Sequence, residues 1–123
     1  MTITRPVLEQ TEADFDHVLG TNLTSNWLVA TEAARRMVAA GKGGAIVNVA
    51  SILGGRVAGD MAPYAISKAG VIQATKALEL ARHGIRVNAL LPGYMVTDLD
   101  RDFLTSPAGV TLAVDGAHLV SLL

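Results

Sequence analysis

Two short runs limit the fold more than any other feature of the chain: AIVNVA at 45–50 and IRVNALL at 85–91. Both are apolar overall and rich in β-branched residues, broken by Asn48 in the first and by Arg86 and Asn88 in the second. Such runs suit strands buried on both faces of a parallel sheet. Between them lie a loop from Ile52 to Met61, holding Gly54, Gly55 and Gly59, and a segment with helical periodicity from about Ala62 to His83. Asp60 reads as an N-cap with Pro63 in the first turn, and Gly84 as the C′ residue. Pro92-Gly93 stops the second run. The order strand, helix, strand predicts a parallel pair joined by a right-handed crossover.

Upstream, Thr11-Glu12-Ala13-Asp14 has the capping-box spacing. Phe15, Val18, Leu19, Leu23, Trp27, Leu28, Ala30, Ala34, Met37 and Val38 then recur at helical spacing. One long helix is expected from about Glu12 to Ala40, ended by Gly41, with Trp27 and Met37 in the core. Its middle carries Asn22, Thr24, Ser25 and Asn26, polar residues that need a reason. VTLAVDG at 110–116 reads as a last strand with Asp115-Gly116 as its turn. The fold class is α/β, with about three parallel strands and two long helices.

Composition removes several functional classes. The chain has 123 residues, half of them apolar, which suits one domain and is too apolar for a disordered chain. No apolar run reaches the roughly 18 residues of a membrane span, and the N-terminus has no apolar stretch of the secretory kind. There is no cysteine, so neither a disulfide framework nor a thiolate metal site is expected. A net charge of −1 without a basic cluster argues against nucleic acid. A cytoplasmic protein with no membrane partner is the expectation. The three histidines lack ligand spacing. The aspartates of DLDRD, at 98–102, fail the calcium-loop pattern, because Phe103 stands where the sharp-turn glycine belongs.

The chemistry concentrates in SILGGRVAGDMAPYAISK, Ser51 to Lys68. Tyr64 and Lys68 are four apart and share one face of a helix. A phenol can protonate a carbonyl oxygen or deprotonate an alcohol, but its free pKa of about 10 is high for work near neutrality. A neighbouring ammonium favours the phenolate. Ser51, at the C-terminal end of the first strand, can donate a hydrogen bond to the same substrate oxygen. Strand C-termini are where parallel sheets hold ligands. The three residues suit the movement of a proton on and off oxygen while another group moves a hydride.

Four pieces taken in order resemble the classical short-chain dehydrogenase/reductase family. They are Asn22 within VLGTNLTSNWLVATEAA, Ser51 within VNVASILGG, Tyr64 and Lys68 within YAISKAG, and the run IRVNALLPGYMVT. TLAVDGAH resembles the final strand of that family. The resemblance implies a partial Rossmann-like, doubly wound sheet, and an NAD(P)-dependent oxidoreductase interconverting an alcohol and a ketone. It implies Tyr64 as the acid/base, Lys68 as its activator and a ligand of the nicotinamide ribose, and Ser51 as the residue that orients the substrate carbonyl. Asn22 would hold a water connecting Lys68 to solvent. Pro92, Gly93, Met95 and Thr97 would receive the nicotinamide of NAD or NADP, and the two long helices would pack against a second copy in a homo-oligomer.

The glycine-rich phosphate-binding turn of that family has no counterpart in these 123 residues. The family's substrate-covering segment and a further helix, which lie between the PG loop and the last strand, are largely missing here, as an internal deletion. The expectation is one partial domain over 1–123, the catalytic half of the family fold without its dinucleotide-binding half. Cofactor binding would then be weak, and one sheet face and an edge would be bare. A second reading is a non-catalytic fragment serving as an assembly module through its helices.

Overall fold

The computed structural model describes residues 1–93, so the expected last strand, Met95 and Thr97 lie outside the described residues. Within that span the architecture is α/β. Helix α1 (Glu12–Leu19) continues through a π-helical turn (Gly20–Thr24) into α2 (Ser25–Ala40). Strand β1 (Gly44–Val49), α3 (Ala62–Ala77) and β2 (Ile85–Leu90) follow. The strands pair in parallel, in a register that sets Gly44 against Ile85 and Val49 against Leu90.

The capping box forms as its spacing predicts. The Asp14 amide donates to Thr11 Oγ1 at 3.1 Å, and the Thr11 amide donates to the Asp14 carboxylate at 3.0 Å. Arg5 adds an ion pair to the same carboxylate at 2.6 Å. These donors hold the Asp14 carboxyl below its usual range, the Thr11 amide contributing most.

The expected single long helix keeps its ends, and Gly41 closes it with φ +66°. Its middle is a widened turn rather than a regular helix. The buried stripe runs Val18, Asn22, Ala30, Ala34, at multiples of four residues. On a regular α-helix each step of four overshoots a full turn by about 40°, so such a stripe would drift out of the core. One residue inserted by the π turn takes back about 100° of that drift. Trp27 falls off the stripe and is 42% exposed, not in the core as its apolar spacing suggests. Met37 does pack against the core.

The second helix is shorter than expected. It stops at Ala77, and Leu78 leaves the helical region with ψ 74°. Leu78 and Leu80 both pack against the core of Ala30, Ala34, Ile46 and Ile85. Residues two apart point to opposite sides of a helix, so both can turn inward only if the helix ends. A short 3-10 turn (Ala81–His83) and Gly84, at φ +67°, then deliver the chain to β2. At the other end Asp60 is not the N-cap. Met61 takes that place, without a side-chain cap. Asp60 sits at φ +60°, and its carbonyl accepts the Arg5 amide at 2.9 Å. Pro63 occupies the first turn and has no N–H for a side-chain cap to accept.

Both long helical segments pack on the face of the sheet that carries Ile46 and Asn48. The alternate residues Val47 and Val49 are 60% and 53% exposed. Burial of β1 on both faces is therefore not realised among the described residues, and the bare face is.

Two stability predictions follow from these contacts. Asp14→Asn should lower the denaturation midpoint at pH 7. Because the folded carboxyl is held below its ordinary value, its contribution is present above about pH 4 and fades as pH falls through the folded value. The gap between parent and variant should therefore narrow in acid; a gap that is constant with pH would contradict the assignment. Gly41 and Gly43 both have left-handed backbones, at φ +66° and +65°. A Cβ on Gly41 meets open space, whereas one on Gly43 would stand 2.7 Å from the Gly84 carbonyl oxygen. Gly41→Ala should cost about 1 kcal/mol, from strain alone. Gly43→Ala should cost clearly more in the same urea titration.

Candidate active site

The parallel ladder continues past the ends of its strands. The Ala50 amide donates to the Leu90 carbonyl at 2.8 Å, and the Ile52 amide to the Pro92 carbonyl at 3.1 Å. This brings the Pro92-Gly93 turn against the turn that begins at Ser51. Ser51 is buried, and its Oγ accepts the Leu53 amide at 3.2 Å. That contact uses a lone pair and leaves the hydroxyl proton free to be donated elsewhere.

The same turn rests on α3. A Cβ on Gly54 would lie 2.8 Å from the Lys68 carbonyl carbon and 2.9 Å from its oxygen, so only glycine permits this approach. Ser51 is thereby held beside the turn of α3 that carries the other two candidate residues. Lys68 Nζ donates to the Val49 carbonyl at 2.9 Å and stands 5.7 Å from the centroid of the Tyr64 ring. The latter is cation–π range. Partial burial pushes the Lys68 ammonium below the usual lysine range. The tyrosine and lysine read as one face of a helix therefore do share a place, at the C-terminal end of the sheet.

Asn22 sits apart from that trio. Its side-chain amide donates to Ser67 Oγ at 3.0 Å and to the Met1 carbonyl at 2.8 Å. Both amide protons are committed within the protein, and neither reaches Lys68. Sequence reasoning passed over Ser67, although it stands inside YAISK. Its hydroxyl donates to the Tyr64 carbonyl at 2.7 Å. No pattern in the sequence marks it, since Lys68, Gln73, Thr75 and Lys76 are polar positions of the same helix. It also passed over the buried pair Asn48 and Thr75, joined at 2.9 Å. An asparagine in the middle of AIVNVA was the mark of that pair.

Among the described residues no cluster of three metal-ligating side chains occurs, and no helix is long and apolar enough to cross a membrane.

Comparison with known proteins identifies the family. Residues 1–107 match the family described as short chain dehydrogenase. A (3R)-3-hydroxyacyl-CoA dehydrogenase of Mus musculus is 43% identical over 95 residues, covering 76% of this chain and 37% of that protein. The 2-dehydro-3-deoxy-D-gluconate 5-dehydrogenase of Escherichia coli (strain K12) is 40% identical over 93 residues, covering 74% and 37%. A short chain dehydrogenase from Leptospira borgpetersenii, solved with bound NAD+, superimposes with a TM-score of 0.76 at 32% identity, covering 80% of this chain and 41% of that one. The chain thus spans well under half the length of the relatives it matches. With a parallel βαβ unit that holds a serine, a tyrosine and a lysine at its strand ends, and a match running over most of its length, the chain belongs to the short-chain dehydrogenase family.

Proposed function

We propose that this chain carries the proton-transfer residues of a nicotinamide-dependent oxidoreductase that interconverts an alcohol and a ketone. One observation carries the reading. A partly desolvated ammonium, Lys68, is held between the Val49 carbonyl and the Tyr64 ring at the C-terminal end of a parallel sheet, beside a serine with a free proton.

In the reducing direction the Tyr64 hydroxyl gives its proton to the substrate oxygen, and in the oxidising direction it takes that proton back. The nearby Lys68 cation stabilises the phenol oxygen as it gains negative charge, more effectively for being partly out of water. Ser51 donates its remaining proton to the substrate oxygen, which orients the carbonyl and steadies the charge that develops on it. The Val49 carbonyl fixes the lysine by accepting one of its three ammonium protons, leaving two donors for other groups.

That donor set fits the nicotinamide ribose of NAD or NADP. The spare lysine donors and the phenol hydroxyl are hydrogen-bonding groups of the kind sugar hydroxyls require, and the half-buried Pro92-Gly93 turn offers a surface beside them. Met95 and Thr97 complete the set proposed for the nicotinamide end. When bound, the dinucleotide supplies or accepts the hydride at the carbinol carbon. The same reading gives Asn22 a role in setting the site rather than in touching the substrate, since its amide is spent on Ser67 and Met1.

Exposed apolar residues on α2, Leu28 at 59% and Val29 at 70%, support a second part of the proposal: that the long helices pack against another copy of the chain. Sedimentation of the parent should show a concentration-dependent oligomer that Val29→Glu weakens. A parent that stays monomeric at high concentration would remove this part.

Turnover tests the main reading. With NADH or NADPH and a panel of ketones, Tyr64→Phe should lower kcat about 100-fold or more while the fold survives. Ser51→Ala should lower it by a comparable factor, through loss of one donor to the oxygen. Equal turnover in Tyr64→Phe and the parent would sink the assignment.

A further inference from the structure

The Ser67 hydroxyl is fully buried, at 0% exposure, and both of its hydrogen-bonding functions are used. It accepts from Asn22 Nδ2 at 3.0 Å and donates to the Tyr64 carbonyl at 2.7 Å. Among the described residues, this is the hydrogen bond that joins the π turn to α3. Viewed down α3, Ser67 lies about 60° to one side of Tyr64, and Lys68 about 40° to the other. Ser67 thus faces the π turn, while Tyr64 and Lys68 face the strand ends. Helix α3 cannot rotate about its axis without stretching the Asn22–Ser67 bond. The π turn has a matching logic. Such turns are rare and tend to occur at functional sites. Here the widened turn holds Asn22 buried with its amide on Ser67.

We infer that Ser67 is a positioning residue for the proposed reaction: its hydroxyl clasps Asn22 of the π turn to the Tyr64 carbonyl, and so fixes the rotation of α3 that aims Tyr64 and Lys68 at the substrate oxygen. The catalytic part of this inference rests on the dehydrogenase reading. The clasp itself does not.

The molecule supplies its own control. Thr75, two turns further along α3, is also buried, donates to the Val71 carbonyl at 2.8 Å, and accepts a side-chain amide, that of Asn48, at 2.9 Å. It is the same arrangement away from Tyr64. A purely structural role predicts that Ser67 and Thr75 behave alike.

The experiment uses the full chain labelled with 3-fluorotyrosine. The chain has two tyrosines, and the fluorine resonance lost in Tyr64→Phe identifies that of Tyr64. Asn22 meets Tyr64 through Ser67. Asn22→Ala and Ser67→Ala should therefore shift or broaden the Tyr64 resonance alike, and the double variant should add little. Thr75→Val should lower the melting temperature yet leave that resonance in place. In turnover, Ser67→Ala should lower kcat about 10- to 100-fold with KM changed less than about twofold, and Thr75→Val should keep kcat. An unmoved resonance in both Ser67→Ala and Asn22→Ala would overturn the clasp. Equal kcat losses in Ser67→Ala and Thr75→Val would overturn the positioning role. A resonance that moves in a chain whose turnover is absent, or survives Tyr64→Phe, would instead overturn the dehydrogenase reading and the catalytic part of this inference with it.

Discussion

Asn48 is a buried amide in the middle of an apolar strand, and the packing of both long helices follows from how it is satisfied. Its Nδ2 donates to Thr75 on α3, and its Oδ1 accepts from Asn26 on α2 at 3.3 Å. Burying an amide without partners costs on the order of 1–3 kcal/mol, so α2 and α3 cannot slide along the sheet without losing that compensation. Apolar contacts alone would not impose such a limit. The neighbouring core is built from Ala30, Ala34, Ile46 and Ile85, whose apolar contacts are non-directional.

The candidate site has anchors of its own and does not hang on that amide. Ser51 follows β1 by two residues, Lys68 reaches back to the carbonyl of Val49, and Gly54 lets the loop backbone rest on the backbone of Lys68. Each of these contacts is anchored to a main-chain atom. The positions of Ser51 and Lys68 are therefore set by the strand and helix themselves rather than by mobile side chains, which is what a proton-transfer device with narrow distance tolerance requires.

How much of this was legible beforehand depends on the distance over which each feature is decided. The Thr11–Asp14 box, the closure at Gly41, the strand pair and the shared face of Tyr64 and Lys68 depend on residues a few positions apart, or on a run long enough to be unmistakable. The end of α3 depends on Leu78 and Leu80 finding a core made by other elements, so the alanine-rich periodicity overran it by six residues, from Ala77 to His83. The π turn was visible only as a polar patch. Its Asn22 is held by a partner 45 residues away, at Ser67. Trp27 was misjudged for the same reason, since the extra residue moves the buried stripe. Asp60 does not cap because its backbone is left-handed, at φ +60°, and its carbonyl is held by the amide of Arg5, 55 positions away. Ser67 escaped notice because a serine in a small-residue helix carries no mark of burial.

The two strands meet in register, yet Gly44 and Ile85 are 41 positions apart in the chain and joined only through α3. A parallel pair has no hairpin from which to grow. Closing so long a loop carries an entropic cost before any ladder hydrogen bond can offset it. The ladder therefore depends on α3, with its buried Ser67 and Thr75, to carry the chain back beside β1. A change on the sheet-facing side of α3 therefore reaches the strand pairing as well as the helix.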